Sequence, residues 1–405
     1  MADELYLSAE ERSMFDGEQG IAVRRAIEIV IALGKIYGAK RLVPVGSVQV
    51  AGVSYKNLGE AGLDFLREWA AQGARVCVPT MLNPAGIDMQ QWERLGFSAD
   101  FARQQEAVID AYTAMGIAPT CTCTPYLTGS RPGLGEHIAW AESSAVSFAN
   151  SVLGARTNRE GGPSALAAAI CGRTAAYGLH LDPNRVARYR VEVRCKLGSI
   201  SDWSALGYLV GRQVRDGVPY FLLGDVAVPP TVDQLKSLGA AMAASGAVAL
   251  YHIDGITLEA QGGKTLAVNA QQIIIDDLAA GYAALNSGVE QVDLVSIGCP
   301  HASVEELAQV ARLVEGKQLR SALWVTTARA TGEHAAQAVE IIQAAGGRVV
   351  ADTCMVVAPV EQLGFKVMAT NSAKMAAYTP AHSRLQVRFG TLEQCIEAAL
   401  TGRWR

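Results

Sequence analysis

Val292-Asp-Leu-Val-Ser-Ile-Gly-Cys-Pro-His-Ala-Ser-Val-Glu-Glu306 is the stretch whose reading decides the fold. Val292 to Ile297 is a short, largely apolar run of the kind that forms a buried strand. Ser303 and Glu306 then stand at the spacing of a capping box, in which serine oxygen and glutamate satisfy the free amides of a helix start. The helix opened there is expected over Val304 to Val314. A strand, a short connection and a helix in this order make the repeating unit of an α/β protein.

The unit recurs on both sides. Downstream, a strand over Ala322 to Thr326, a helix over Ala335 to Ala345 and a strand over Arg348 to Ala351 follow. Upstream, helix Val232 to Ala244 leads to strand Ala247 to Ile253, and helix Ala267 to Leu285 leads into the Val292 run. Near the N-terminus a second capping box, Ser8-Ala-Glu-Glu11, starts a helix at Ala9. Helices are expected over Gly20 to Tyr37, Leu58 to Gln72 and Ala99 to Met115, and strands over Leu42 to Val45, Ala74 to Val78 and Ala118 to Cys123. Pro44 puts the first of these strands at an edge or a strand end. The alternating Val191, Val193 and Cys195 within Tyr189 to Val210 read as a more antiparallel insertion. The whole is a largely parallel sheet architecture covered by helices, in three subdomains over 1–125, 126–290 and 291–405.

At roughly 150 residues per domain, 405 residues leave ample length for a buried core. Half the residues are hydrophobic and 18% are charged, the composition of a compact protein. There are 35 basic against 39 acidic side chains, a net charge of −4, and no basic stripe, so a nucleic-acid partner is not expected. The acidic start Met1-Ala-Asp-Glu4 lacks the features of a signal peptide. No apolar run reaches the ~20 residues of a bilayer span. A cytoplasmic chain is therefore expected, whose eight cysteines are buried thiols or ligands rather than a disulfide framework.

Thr80-Met-Leu-Asn-Pro-Ala85, Thr122-Cys-Thr-Pro-Tyr126, Gly298-Cys-Pro-His301 and Asp352-Thr-Cys354 follow or end expected strands. Ligands of parallel α/β sheets bind beyond the strands' carboxyl ends, so these segments can converge. Cys123, Cys299 and Cys354 lack the paired C-x₂-C spacing of a zinc ribbon. As thiolates from three strand ends they can hold an iron–sulfur cluster with one iron open; as ordinary thiols they are small buried hydrophobes. Cys77 and Cys395 read as core, and Cys171 and Cys195 belong to no motif. Cys121 would share the strand face of Cys123, which is favoured only for its place at the strand end.

His301 can be a ligand, a proton carrier or a hydrogen-bonding neighbour of the site. His137 and His252 are weaker candidates, while His180, His334 and His382 read as surface or core. Arg156 and Arg159 offer planar donors to a carboxylate or phosphate, or are a solvated pair. Glu142 and Ser143 lie in helical context, and Lys374 is a point charge for a phosphate or a solvated lysine. No Walker loop, G-x-G-x-x-G or G-x-S-x-G motif is present, so nucleotide chemistry and serine hydrolysis lose their usual support.

At these residues the chain resembles the catalytic large subunit of aconitase X, a branch of the aconitase superfamily. The resemblance rests on Leu7-Ser-Ala-Glu-Glu11 with Asp16-Gly-Glu18, Gly52-Val-Ser-Tyr55, Leu82-Asn-Pro-Ala85, Cys123-Thr-Pro-Tyr126, Trp140-Ala-Glu-Ser-Ser144, Phe148 to Arg159, Gly298-Cys-Pro-His301 and Asp352-Thr-Cys354. It implies an iron-dependent hydro-lyase with Cys123, Cys299 and Cys354 as ligands of a 4Fe-4S cluster. A mononuclear iron or a 2Fe-2S centre can use the same thiolates. It also implies substrate contacts from Gly52, Val53, Ser54, Asn83, Pro84, Glu142, Ser143 and Lys374, with Lys374 as the phosphate's cation.

Gly52-Val-Ser-Tyr-Lys56, Leu82-Asn-Pro-Ala-Gly86 and Asn158-Arg-Glu-Gly-Gly-Pro163 are similar to the archaeal branch. That likeness implies dehydration of (R)-5-phosphomevalonate to trans-anhydromevalonate 5-phosphate in a modified mevalonate route to isoprenoids. The other branch would imply cis-3-hydroxy-L-proline as substrate, and loss of the reaction would leave a non-catalytic binding or scaffold subunit. Aconitase-like enzymes close the site with a swivel domain, for which no segment of this chain is left over. A separate small subunit carrying that domain and a catalytic serine base is the expected partner.

Overall fold

The computed structural model describes residues 5–224, 229–262 and 265–405. Three parallel sheets carry the chain. The first places Val48–Val50 between Thr80–Leu82 and Ala139–Trp140. The second runs in the order His252–Ile253, Pro219–Leu223, Ala187–Val193, Leu266–Ile275. The third has the order Arg348–Val350, Ala322–Thr327, Leu294–Ala302, Val367–Thr370, Gln386–Phe389. Leu42–Pro44 pairs antiparallel with Arg173–Ala175 in a two-stranded ribbon, which satisfies the constraint of Pro44.

Helices cover these sheets, and their starts follow local chemistry. Ser8 and Ser303 both form complete capping boxes, as their spacing requires, and Ser199, Thr231 and Thr391 do the same elsewhere. Ile200–Val214 and Val232–Gly246 cross closely because small residues meet at the contact: a Cβ on Gly207 would stand 2.9 Å from the Cβ of Ala241 and would strike the Leu238 carbonyl. Among the described residues no helix is long and apolar enough to cross a membrane.

Several expected elements differ. Ala74 to Val78 is no strand: its amides go to carbonyls at the ends of two helices, Val76 to Met115 and Cys77 to Ala169, and the ladder begins only at Thr80. Cys77 is exposed rather than core, whereas Cys395 is fully buried. Ala118 to Cys123 keeps one isolated bridge, Met81 to Ala118; Pro119 and the left-handed Cys121, at φ 41°, end it. Cys121 and Cys123 consequently share no strand face. The stretch from Ala267 is a strand to Ile275, not a helix, because its β-branched end pairs residue by residue with Tyr189 to Val193; only Ala279–Ala284 is helical. Ala187–Val193 is an interior strand of an all-parallel sheet, not an antiparallel insertion, and the strand expected from Ala247 shrinks to His252–Ile253.

The first and third sheets meet at their carboxyl ends. Ala85 and Thr353 form a parallel bridge, in which the Ala85 amide donates to Asp352 at 2.7 Å and the Cys354 amide to Ala85 at 3.1 Å. Asp352 is left-handed, at φ 57°, and its carboxylate pairs with Arg329, which also reaches Asp88 at 3.2 Å. In the central strand of the third sheet the register with Ala322–Thr327 shifts between Ile297 and Ala302, so that Gly298 to His301 bulges from the ladder. Gly298 makes the exit at φ 94°, and a Cβ there would strike the carbonyl of Thr326. Gly298→Ala is expected to lower stability by about 2–4 kcal/mol, from left-handed strain plus overpacking, measured by urea unfolding.

Candidate active site

Carboxyl ends of parallel strands deliver most of the site. Beyond Val48–Val50 come Gly52, Val53 and Ser54; beyond Thr80–Leu82, Asn83 and Pro84; beyond Ala139–Trp140, Glu142 and Ser143. The third sheet adds Cys299, Cys354 and Lys374. A pocket lies between the two sheets, with Asn83, Pro84, Glu142 and Lys374 in its wall together with all three candidate cysteines. Gly52, Val53 and Ser54 are not part of that wall. They sit beside it, and the Ser54 hydroxyl donates to the Val357 carbonyl at 2.9 Å, behind Cys354.

Glu142 is the N-cap of helix Ser143–Ser151 and accepts from the Ala145 amide at 2.7 Å and from the Ser144 hydroxyl. Its other oxygen meets the Lys374 ammonium, which also reaches Ser143 at 3.3 Å and Ser144 at 3.2 Å. Burial alone would raise the Glu142 carboxyl. The Lys374 charge and these hydrogen bonds outweigh it and bring the group down to about 2. Burial likewise opposes the Lys374 charge, and the Glu142 carboxylate restores it, holding the ammonium above its usual range. Lys374 is thus paired within the wall rather than free.

Burial pushes all three thiols up, Cys299 to about 12, while the ammonium of Lys374 acts downward on each. Cys123 Sγ also accepts a hydrogen bond from the His301 amide at 3.2 Å, the Ser372 hydroxyl acts downward on Cys299, and the Val357 amide donates to the Cys354 carbonyl at 3.0 Å. No thiol is in a disulfide. An amide donor on Cys123 and the nearby ammonium of Lys374 suit thiolates that serve as ligands, because both stabilise charge on sulfur. Among the described residues no three His, Cys, Asp or Glu side chains are grouped so as to hold one metal ion.

His301 is buried and burial holds it neutral, down to about 4; both its nitrogens are hydrogen-bonded. The remaining candidates stand apart from the pocket. Cys121 and Cys171 are packed in the first core. Cys195 flanks the second core. Arg156 pairs with Asp182, and Arg159 is exposed. His137 and His180 face one another at 2.9 Å, and His252 is buried against the Arg185 carbonyl at 2.8 Å. His334 and His382 are exposed. Ser144, Thr326, Met355 and Met375 are site residues that sequence reasoning did not single out. Thr326 ends an expected strand, a signal that was available; the methionines carry none.

Removing one partner of the Glu142–Lys374 pair leaves the other charged and buried. Lys374→Met is expected to cost about 3–5 kcal/mol in urea unfolding, with part regained by adding Glu142→Gln. Because the Glu142 carboxyl is depressed from 4.5 to about 2, the pair stabilises fully above pH 4.5 and loses its contribution as pH falls towards 2.

Three family models match in succession: aconitase X first domain over residues 4–183, second domain over 187–283 and third domain over 292–401. A Methanothermobacter thermautotrophicus protein named phosphomevalonate dehydratase large subunit is 51% identical over 93% of this chain and 94% of its own length. A Methanocaldococcus jannaschii protein of the same name is 47% identical over 97% of this chain and its full length. The crystal structure of Thermococcus kodakaraensis aconitase X in its holo-form superposes with a TM-score of 0.90 at 45% identity, covering 98% of this chain and all of that one. With the first, second and third domains matched in order along its length, the chain belongs to the aconitase X family.

Proposed function

We propose that this chain is the large subunit of a hydro-lyase that dehydrates (R)-5-phosphomevalonate to trans-anhydromevalonate 5-phosphate, a step towards isoprenoids. The observation that carries this reading is the near full-length likeness to archaeal proteins named for that reaction. The pocket is compatible with it.

Cys123, Cys299 and Cys354 are the proposed ligands of an iron–sulfur cluster. The three line one pocket, and three cysteine ligands leave one iron of a 4Fe-4S cluster open to substrate. When bound, such a cluster supplies a Lewis acid that draws off the hydroxyl as the carbon–oxygen bond breaks. The chain's own residues bind and orient. The Asn83 side-chain oxygen is buried without a partner, an acceptor available to a substrate donor. Gly52, at φ 83° and with open space around its Cα, lets a substrate approach the backbone beside Val53, Ser54 and Pro84. Ser143 donates its hydroxyl to Glu142 at 3.3 Å and takes the Lys374 ammonium at 3.3 Å, so a substrate's acidic group would draw on Ser143 and Lys374 in exchange for part of their contact with Glu142. A small swivel-domain subunit is the proposed partner, closing the pocket and bringing the serine that takes the proton.

The test is an anaerobic NMR assay of the chain co-purified with its small subunit, with phosphomevalonate and cis-3-hydroxy-L-proline in separate tubes. A new trisubstituted-alkene signal is expected from phosphomevalonate alone; turnover of the proline alone would replace the substrate assignment. Cys299→Ser is expected to lose bound iron and activity together, and an active, iron-free variant would sink the cluster. The isolated chain is expected to turn over poorly without its partner.

A further inference from the structure

His301 uses every hydrogen-bonding group it has. Its amide donates to Cys123 Sγ at 3.2 Å. Ring Nε2 lies 2.9 Å from the Thr353 carbonyl, which can only accept, so Nε2 carries the hydrogen. Nδ1 is then an acceptor, 3.0 Å from the Thr122 hydroxyl, which itself takes the Thr124 amide at 3.1 Å. The His301 carbonyl accepts from the ammonium of Lys236 at 3.1 Å. Lys236 is fixed in turn by Asp233 at 2.8 Å and by Glu306, all three buried. With both ring nitrogens engaged, the imidazole serves neither as a ligand nor as a proton carrier.

The partners are distributed in a telling way. Thr122 immediately precedes Cys123, Thr353 immediately precedes Cys354, and His301 itself lies two residues beyond Cys299. The segment around Cys123 is irregular, and Gly298 to His301 bulges out of register with the neighbouring strand. Neither therefore has a full set of sheet hydrogen bonds to hold its cysteine in place. We propose that His301 is a positioning residue whose ring and amide staple the Cys123 and Cys354 segments to its own, setting the spacing of all three thiols. Lys236 backs the staple from the second sheet's helix. The effect on a bound cluster rests on the function proposed above; the staple itself does not.

Hydrogen exchange on the full chain, iron-loaded and iron-free, tests this with two variants. In His301→Asn the amide reaches the Nδ1 position but not the Nε2 position. Exchange over 351–357 is expected to rise at least tenfold on the scale of a lost buried hydrogen bond, while 120–125 changes far less. Thr122→Val, nearly isosteric, is expected to loosen 120–125 and spare 351–357. In loaded protein both variants should release iron to a chelator about tenfold faster and alter the electron paramagnetic resonance spectrum of the reduced state. General destabilisation would loosen both segments alike in each variant, and that pattern, or exchange unchanged from the parent, overturns the staple. If the parent chain takes up no iron, the cluster reading fails and exchange in the iron-free chain still decides the staple.

Discussion

The meeting of two sheets at Ala85 and Thr353 is the constraint from which the rest of the molecule follows. Two backbone hydrogen bonds join the carboxyl edge of the first sheet to that of the third. Parallel sheets collect loops at one edge, so apposing two such edges gathers loops from distant parts of the chain around a single pocket. Arg329 reinforces the joint by pairing with Asp88 on one side and Asp352 on the other, and Lys56 does so further out through Glu361 and the carbonyls of Ala358 and His382. Asp352 adopts a left-handed backbone that a non-glycine residue keeps only where its surroundings hold it.

Charge is handled economically around that joint. Glu142 and Lys374 neutralise one another in the wall, and Asp233, Lys236 and Glu306 form a second buried group behind His301. Isolated, each of these ions would be costly in so little water; paired and hydrogen-bonded, they fix geometry. Glu142 caps a helix and holds a lysine with its two oxygens, so one side chain links the first sheet to the helix that follows the fourth strand of the third.

Much of this was readable in the residues. Ser303 and Glu306 marked a helix start correctly because capping is local chemistry, decided within four residues. The strand from Leu266 was missed because an apolar stretch without strict alternation reads equally as either element until its partner, Tyr189 to Val193, is known. Cys121 and Cys123 were inseparable as a strand pair; the left-handed turn at Cys121, set by tertiary contacts, divides them between core and pocket. Lys374 was visible as a charge, but its pairing with Glu142, far away in the chain, was not. Of the three thiols only Cys354 closely follows a strand, while Cys123 lies beyond an isolated bridge and Cys299 within a bulged strand, and only the fold could tell that His301 ties their segments together.

The pocket's three sulfurs come from residues 123, 299 and 354, each carried by a different stretch of the chain. A ribosome delivers Cys123 long before Cys354, and no local contact can hold its place in the meantime. Contacts between such distant segments close slowly, after the local helices and the individual sheets have formed. The pocket is accordingly one of the last parts of the molecule to exist, and during synthesis its thiols spend their longest exposed interval in the order in which they are made.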